Sequence, residues 1–113
     1  MNQVNTNIKN LPPGEYVTEL GYSQSCAWKV IKKTAKTMTI QAVRTKRDPE
    51  WKPEMHPGGF CAHCSNQHSQ TWLYDGLLGV QPTRVIRKTK KGWSLHGVRY
   101  AENCARRFYD YNF

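Results

Sequence analysis

"VIKKTAKTMTI", Val30 to Ile40, and "VIRKTKKGWSL", Val85 to Leu95, are two copies of one pattern. Each begins with a Val-Ile pair, passes through a cationic stretch that carries a threonine, Thr34 or Thr89, and ends in a second apolar run. At the end of the first copy and just beyond it, Met38, Ile40 and Ala42 alternate with Thr37, Thr39 and Gln41, which gives one apolar and one polar face, the mark of a half-buried strand. Two apolar runs joined by a short polar turn make a β-hairpin, so the pattern predicts two hairpins. Gly92 stands where such a turn calls for positive φ. A single pair is too little for a solenoid, which needs three or more units, so the likeness is one of local architecture.

Working outward, "EYVTELGY", "CAWKVIK", "TWLYD" and the closing "RRFYDYNF" read as further short strands. A helical turn or two is expected only in "VRYAENCARRFY". Hydrophobic residues make up 38% of the chain, a low share, and four Trp, six Tyr and three Phe must supply much of the core. Trp28, Trp72 and Trp93 are expected inside, with Trp51 the best candidate for an exposed ring. The fold class expected is mainly β: a small twisted antiparallel barrel or sandwich, SH3-like, with one long irregular loop. Residues 1–14, polar, Asn-rich and ending in "LPPG", read as a flexible lead-in. Residues 15–113 read as a single β domain, whose functional loop spans about 45–70, where Pro49, Pro53, Pro57, Gly58 and Gly59 interrupt the periodicity.

Seventeen Lys and Arg against eight Asp and Glu leave a formal charge of +9, a field that draws polyanions. The hairpin tips hold Lys32, Lys33 and Lys36 in one copy and Arg87, Lys88, Lys90 and Lys91 in the other. Gathered on one side, they would form a strip suited to phosphates. No apolar run approaches the roughly 18 residues needed to span a bilayer, and the N-terminal stretch has no signal-peptide core. The expected location is therefore the cytoplasm, where four Cys read as thiols or metal ligands rather than disulfides.

"MHPGGFCAHCSNQHSQTW", Met55 to Trp72, carries the most unusual chemistry. Its C-x-x-C-x-x-x-H spacing resembles half of a structural zinc site, with His56, Cys61, Cys64 and His68 as ligand candidates, His63 as a substitute for His56, and Cys104 or Cys26 as the alternative that completes the site if the fold brings one close. Such a metal would add directly to the folding free energy of a loop poor in apolar residues. The same loop offers His63, Asn66, Gln67 and Gln70 beside Trp72, groups that can read base edges and stack a base; equally, the amides can hold the loop against the barrel. There is no Ser-His-Asp arrangement, paired-carboxylate motif or phosphate loop, and His63 with the distant Asp75 is a poor basis for a hydrolase, so the chain does not read as an enzyme.

"PGGFCAHCSNQHSQTW", with "YSQSCAWKVIKKTAKTMTIQ" upstream and the terminal "FYDYNF", resembles a family of small, largely uncharacterised proteins encoded by phages, prophages and other bacterial mobile elements. The resemblance covers most of residues 20–113 and marks Gly58, Gly59, Phe60, His63, Asn66, Gln67, Gln70, Trp72, Gly92, Trp93, Tyr109, Asp110, Tyr111 and Phe113. Both thiols are not a fixed part of that pattern. It implies a phage or mobile-element setting in a bacterial host cell and no particular activity. The expected role is a small basic binding protein that contacts nucleic acid through its cationic hairpins. The alternative is a counter-defence inhibitor of the anti-CRISPR type, bound to a bacterial nuclease or its guide complex.

Overall fold

The computed structural model describes residues 5–58, 61–75 and 81–110, with the backbone alone for 57–58 and 61–63. Its centre is a closed six-stranded antiparallel β-barrel. The wall is built from β3 (Tyr16–Leu20), β4 (Gln24–Lys33), β5 (Thr37–Ala42), β10 (Thr83–Thr89), β11 (Gly92–Leu95) and β12 (Val98–Glu102). Two three-stranded meanders, β3-β4-β5 and β10-β11-β12, are joined along the seams β5–β10 and β3–β12. The first repeat copy forms the β4–β5 hairpin and the second forms β10–β11, as the alternation in the sequence requires.

Alternation also decides which side chains fill the barrel. Met38 and Ile40 of β5 and Ile86 of β10 are wholly buried and pack with Val17, Trp28, Trp93 and Tyr100. Val85 and Arg87, on either side of Ile86, face out. In β4 the register slips between Val30 and Lys32, which leaves Ile31 half exposed and lets the long strand coil with the barrel. The β11–β12 hairpin turns through His96 and Gly97, both at positive φ, as a two-residue loop between twisted strands requires.

A second, smaller core lies on the outside of β3 and β4. Tyr16 and Ala27 point away from the barrel and are covered by Ile8, Trp72 and Ala105. The covering layer contains β1 (Asn5–Thr6), β2 (Ile8–Lys9), β6 (Thr45–Arg47), β9 (Trp72–Tyr74), β13 (Cys104–Ala105) and β14 (Phe108–Tyr109). β1 pairs in parallel with β13, and β2 with β9, which also pairs with β6. β14 pairs with β4.

Residues 5–14 are therefore not the flexible lead-in expected from their polarity. Ile8 is buried, and Asn7 fixes the segment from both ends of its amide: Nδ2 donates to the Arg107 and Gln70 carbonyls, at 2.7 and 3.2 Å, and Oδ1 accepts the Arg107 N–H at 2.9 Å. The helical turn expected in "VRYAENCARRFY" is likewise replaced by strand, turn and strand. Asn103, at φ 53°, forms the one-residue turn between β12 and β13. Thr18 anchors the far side of that turn, donating to the Cys104 carbonyl at 2.8 Å and accepting the Arg106 N–H at 3.1 Å. Tyr111 and Phe113, expected in a final strand, lie outside the described residues. No helix of the described residues is long and apolar enough to cross a membrane.

Two measurements check this account. Ile86→Ala should cost about 2–5 kcal/mol in chemical denaturation, whereas Ile31→Ala, on the exposed bulge, should cost well under half as much. The buried Asp48 carboxylate takes Lys9 at 2.8 Å, the Thr71 hydroxyl at 2.7 Å and the Glu50 N–H at 3.0 Å. The Lys9 contact foremost, then Thr71 and the Glu50 N–H, lower its pKa from 3.8 to about 2. This contribution is complete above the unfolded value and disappears as pH falls through the folded one. Acid titration of stability should therefore show a loss between those two values that Asp48→Asn removes.

Candidate functional site

The repeated threonine is the element that shapes both hairpin tips. In the first, Thr34 Oγ1 accepts the Lys36 and Thr37 N–H groups at 3.4 and 3.0 Å. In the second, Thr89 Oγ1 accepts the Lys91 N–H at 3.2 Å while donating to the Gly92 carbonyl at 2.8 Å, with Gly92 at φ 110°. A hydroxyl that captures the N–H two residues on closes a tight turn and leaves the residues between it and the returning strand exposed. Those residues are Ala35 and Lys36 in one tip, Lys90 and Lys91 in the other. Thr34 and Thr89 serve the turns.

The β5–β10 seam sets the two tips side by side at one end of the barrel. Thr37 stands opposite Arg87, and beyond that pair the Lys88 N–H donates to the Lys36 carbonyl at 2.9 Å. From these tips a continuous outer face runs down β5, β10, β11 and β12. Its outward positions include Thr37, Thr39, Val85, Arg87, Ser94 and Arg99, none of them acidic or aromatic. Neither residues 34–42 nor residues 83–101 contain an Asp or Glu.

Charge is neutralised elsewhere. Lys9 meets Asp48 and Glu50, Arg44 meets Asp75, and Arg84, at the mouth of the barrel, meets Glu19 at 3.2 Å. Arg84 also donates to Tyr100 Oη at 2.7 Å and lies 4.4 Å over the Trp28 ring, whose N–H donates to Glu19 at 3.1 Å. Lys32, Lys36, Arg87, Lys88, Lys90, Lys91 and Arg99 have no acidic partner among the described residues. Lys33 is the exception at the tips: it donates to Glu15 at 2.9 Å, a hydrogen bond that raises its pKa, and so brings less free charge than the sequence suggests.

The expected loop of about 45–70 is more ordered than a long irregular loop and serves a different end. It holds β6, a hairpin of β7 (Met55–Gly58) and β8 (Cys61–Cys64), and a 3-10 turn at Gln67–Ser69. Gln70 is buried, and both ends of its amide are occupied: Nε2 donates to the carbonyls of Gln67 and Tyr109, and Oε1 accepts the Trp72 indole N–H and the Tyr109 N–H. Asn66 accepts the Glu54 N–H at 2.7 Å and donates to the Lys52 carbonyl at 2.8 Å. Of the two readings the sequence offers for these amides, base reading and holding the loop, these contacts are those of the second. Gln67 opens the 3-10 turn, and its carbonyl accepts the Gln70 N–H and side-chain amide. Trp51, expected to be exposed, is half-buried and donates to Ser69 Oγ at 3.1 Å.

Of the zinc quartet, three members have described side chains: His56, Cys64 and His68. His56 pairs with His63 and Met55 with Cys64 across the β7–β8 hairpin, so His56 and Cys64 occupy opposite faces of it. Exposed His56 shares a 2.9 Å hydrogen bond with Ser65, buried Cys64 donates to Asn66, and His68 stacks on Phe108 at 6.2 Å. The three described members thus point to three places. The side chains of Cys61 and His63, and residues Gly59 and Phe60, lie outside the described residues. Among the described residues there is no group of three His, Cys, Asp or Glu side chains able to hold an ion. Burial pushes the Cys26 thiol up, away from thiolate reactivity.

No protein-family model, no curated protein and no solved structure matches this chain. The residues that sequence reasoning missed are Ser94 and Arg99, whose neighbourhood exists only once three strands are in register. Gln70→Ala should cost about 1–3 kcal/mol in thermal or chemical denaturation, from the partners left unsatisfied at Tyr109 and Trp72. EDTA should leave the melting temperature unchanged; a drop of several degrees would restore the metal centre.

Proposed function

We propose that the protein is a small nucleic-acid-binding module that grips backbone phosphates with the joined hairpin tips and the outer face of β5, β10, β11 and β12. The observation that supports this reading most directly is the Lys36–Lys88 backbone bond, which places both cationic tips together beside an acid-free face. Concentrating unpaired cations on one surface costs self-repulsion, and a polyanion relieves it while releasing its own counterions. The outward positions of the face offer no aromatic platform, so bases are not stacked there. Recognition is by phosphate contact, tolerant of sequence. The sequence resemblance supports a setting among phage or mobile-element proteins, and with it action in the cytoplasm of a bacterial host. Zinc has no part in this reading, and neither does catalysis.

The test is a salt-titrated binding series with mixed-sequence oligonucleotides. Four to six phosphate contacts would give a slope of roughly −4 to −5 for log affinity against log salt on a duplex. Lys36→Glu combined with Lys90→Glu should weaken binding by about tenfold or more with the far-ultraviolet circular dichroism unchanged. Lys33→Glu should do less, because Glu15 already takes that charge. If the wild-type protein is not retained at low salt, the reading fails and the counter-defence alternative, an acidic patch on a bacterial nuclease or guide complex, takes its place.

A further inference from the structure

Beside the second tip, the outer surface of the barrel is hollowed into a depression of about 250 Å³, lined by Thr89, Lys91, Gly92, Trp93, Ser94, Gly97 and Arg99. It exists because the outward positions of β11 carry almost no side chain. Gly92 and Ser94 alternate with the buried Trp93, and a Cβ built at Gly92 or Gly97 would meet nothing within 4 Å. The ladder fixes what surrounds this floor. Ser94 stands opposite Arg87 on one side and opposite Arg99 on the other. Neighbouring strands lie about 5 Å apart, so the Arg87 and Arg99 backbones flank the serine at a separation of roughly 10 Å.

The Ser94 hydroxyl, the Lys91 ammonium and the Arg87 and Arg99 guanidiniums have no hydrogen-bond or ion-pair partner among the described residues. Other arginines of the molecule are paired: Arg44 meets Asp75, Arg84 meets Glu19, Arg107 donates to the Ser25 and Phe108 carbonyls, and Arg106 donates to Asn5. The depression has no acidic residue in its lining. A small floor bearing one hydroxyl, with the Arg99 guanidinium and the Lys91 ammonium in its lining and Arg87 on the neighbouring strand, is complementary to a tetrahedral oxyanion.

The geometry points to this depression as the seat of one backbone phosphate, with Arg99 as its principal anchor and Ser94 Oγ donating from the floor. The inference rests on the nucleic-acid reading above and extends it by naming the subsite and the chemical group it takes, a phosphodiester. Because Arg99 contacts the ligand through a fork, Lys at this position keeps the charge and loses the paired hydrogen bonds.

The experiment uses the full chain and a mixed-sequence 20-base-pair DNA duplex, a length of about two helical turns. Arg99→Gln should weaken binding by about five- to tenfold and reduce the salt slope by about one. Lys46→Gln, the same change of charge on exposed β6 in the covering layer, should leave affinity within about twofold, since a remote charge acts only through a screened field. Ser94→Ala should weaken binding about two- to threefold, and Arg99→Lys should recover only part of the loss. On titration with the duplex, the amide resonances of Gly92, Ser94 and Gly97 should shift in the wild type and fail to shift in Arg99→Gln. Equal effects of Arg99→Gln and Lys46→Gln, or unmoved amides in a wild-type protein that binds, would overturn the seat and leave the broader reading intact. A wild-type protein that does not bind the duplex at all would overturn the broader reading itself.

Discussion

β5 pairs with both β4 and β10, and this double pairing is the constraint on which the rest of the molecule depends. With either seam open, the two meanders are curled sheets, each with one apolar face exposed. With both closed, Met38, Ile40 and Ile86 leave water completely. Burying side chains of this size is worth roughly 1.5–3 kcal/mol each, and they sit on the two strands that make the seam. Core and closure are thus one event. The same pairing brings the turns at Thr34 and Thr89 to one end, so the electrostatic character of that end follows from the packing of the interior.

The barrel was legible in the sequence where information is local. The alternation of Met38, Ile40 and Ala42 with threonines and glutamine is a strand whatever lies beside it, and the recurrence of Val-Ile, Lys and Thr marks two hairpins. The recurrent threonine has a local physical role as well, since each hydroxyl holds a backbone N–H of its own turn. Parts that depend on distant partners were not legible. Asn7 looks like a residue of a mobile polar arm until Arg107, far along the chain, is placed against its amide. Gln70 looks like a base reader until Tyr109 occupies it from both sides. A side-chain amide presents a donor group and an acceptor atom side by side, as a peptide group does, and composition does not distinguish the two uses.

The cysteines and histidines show a related limit. Ligand spacing counts residues along the chain, whereas a strand sends successive side chains to opposite faces. His56 and Cys64 are well spaced in sequence and divided by the hairpin that carries them. Ser94 and Arg99 are the converse: neither has a motif, and the ladder puts Arg87, Ser94 and Arg99 into one row. The candidate surface is therefore a product of register, and only its lysine-rich tips announce themselves in composition.

β6 and β9 of the covering layer, with the β7–β8 hairpin, enter the chain between the two strands of the seam, after Ala42 and before Thr83. Formation of the barrel must therefore close a long loop late, after each meander has formed from near neighbours, and this step should govern the folding rate. The equilibrium penalty for such a loop grows slowly, by about 0.6 kcal/mol for each doubling of its length. Residues could be inserted into the β7–β8 hairpin or removed from it with little effect on the barrel, provided that Asp48, Gln70 and Trp72 keep their places. The corner of the wall that delays folding is thus also where the fold has most freedom to acquire new sequence.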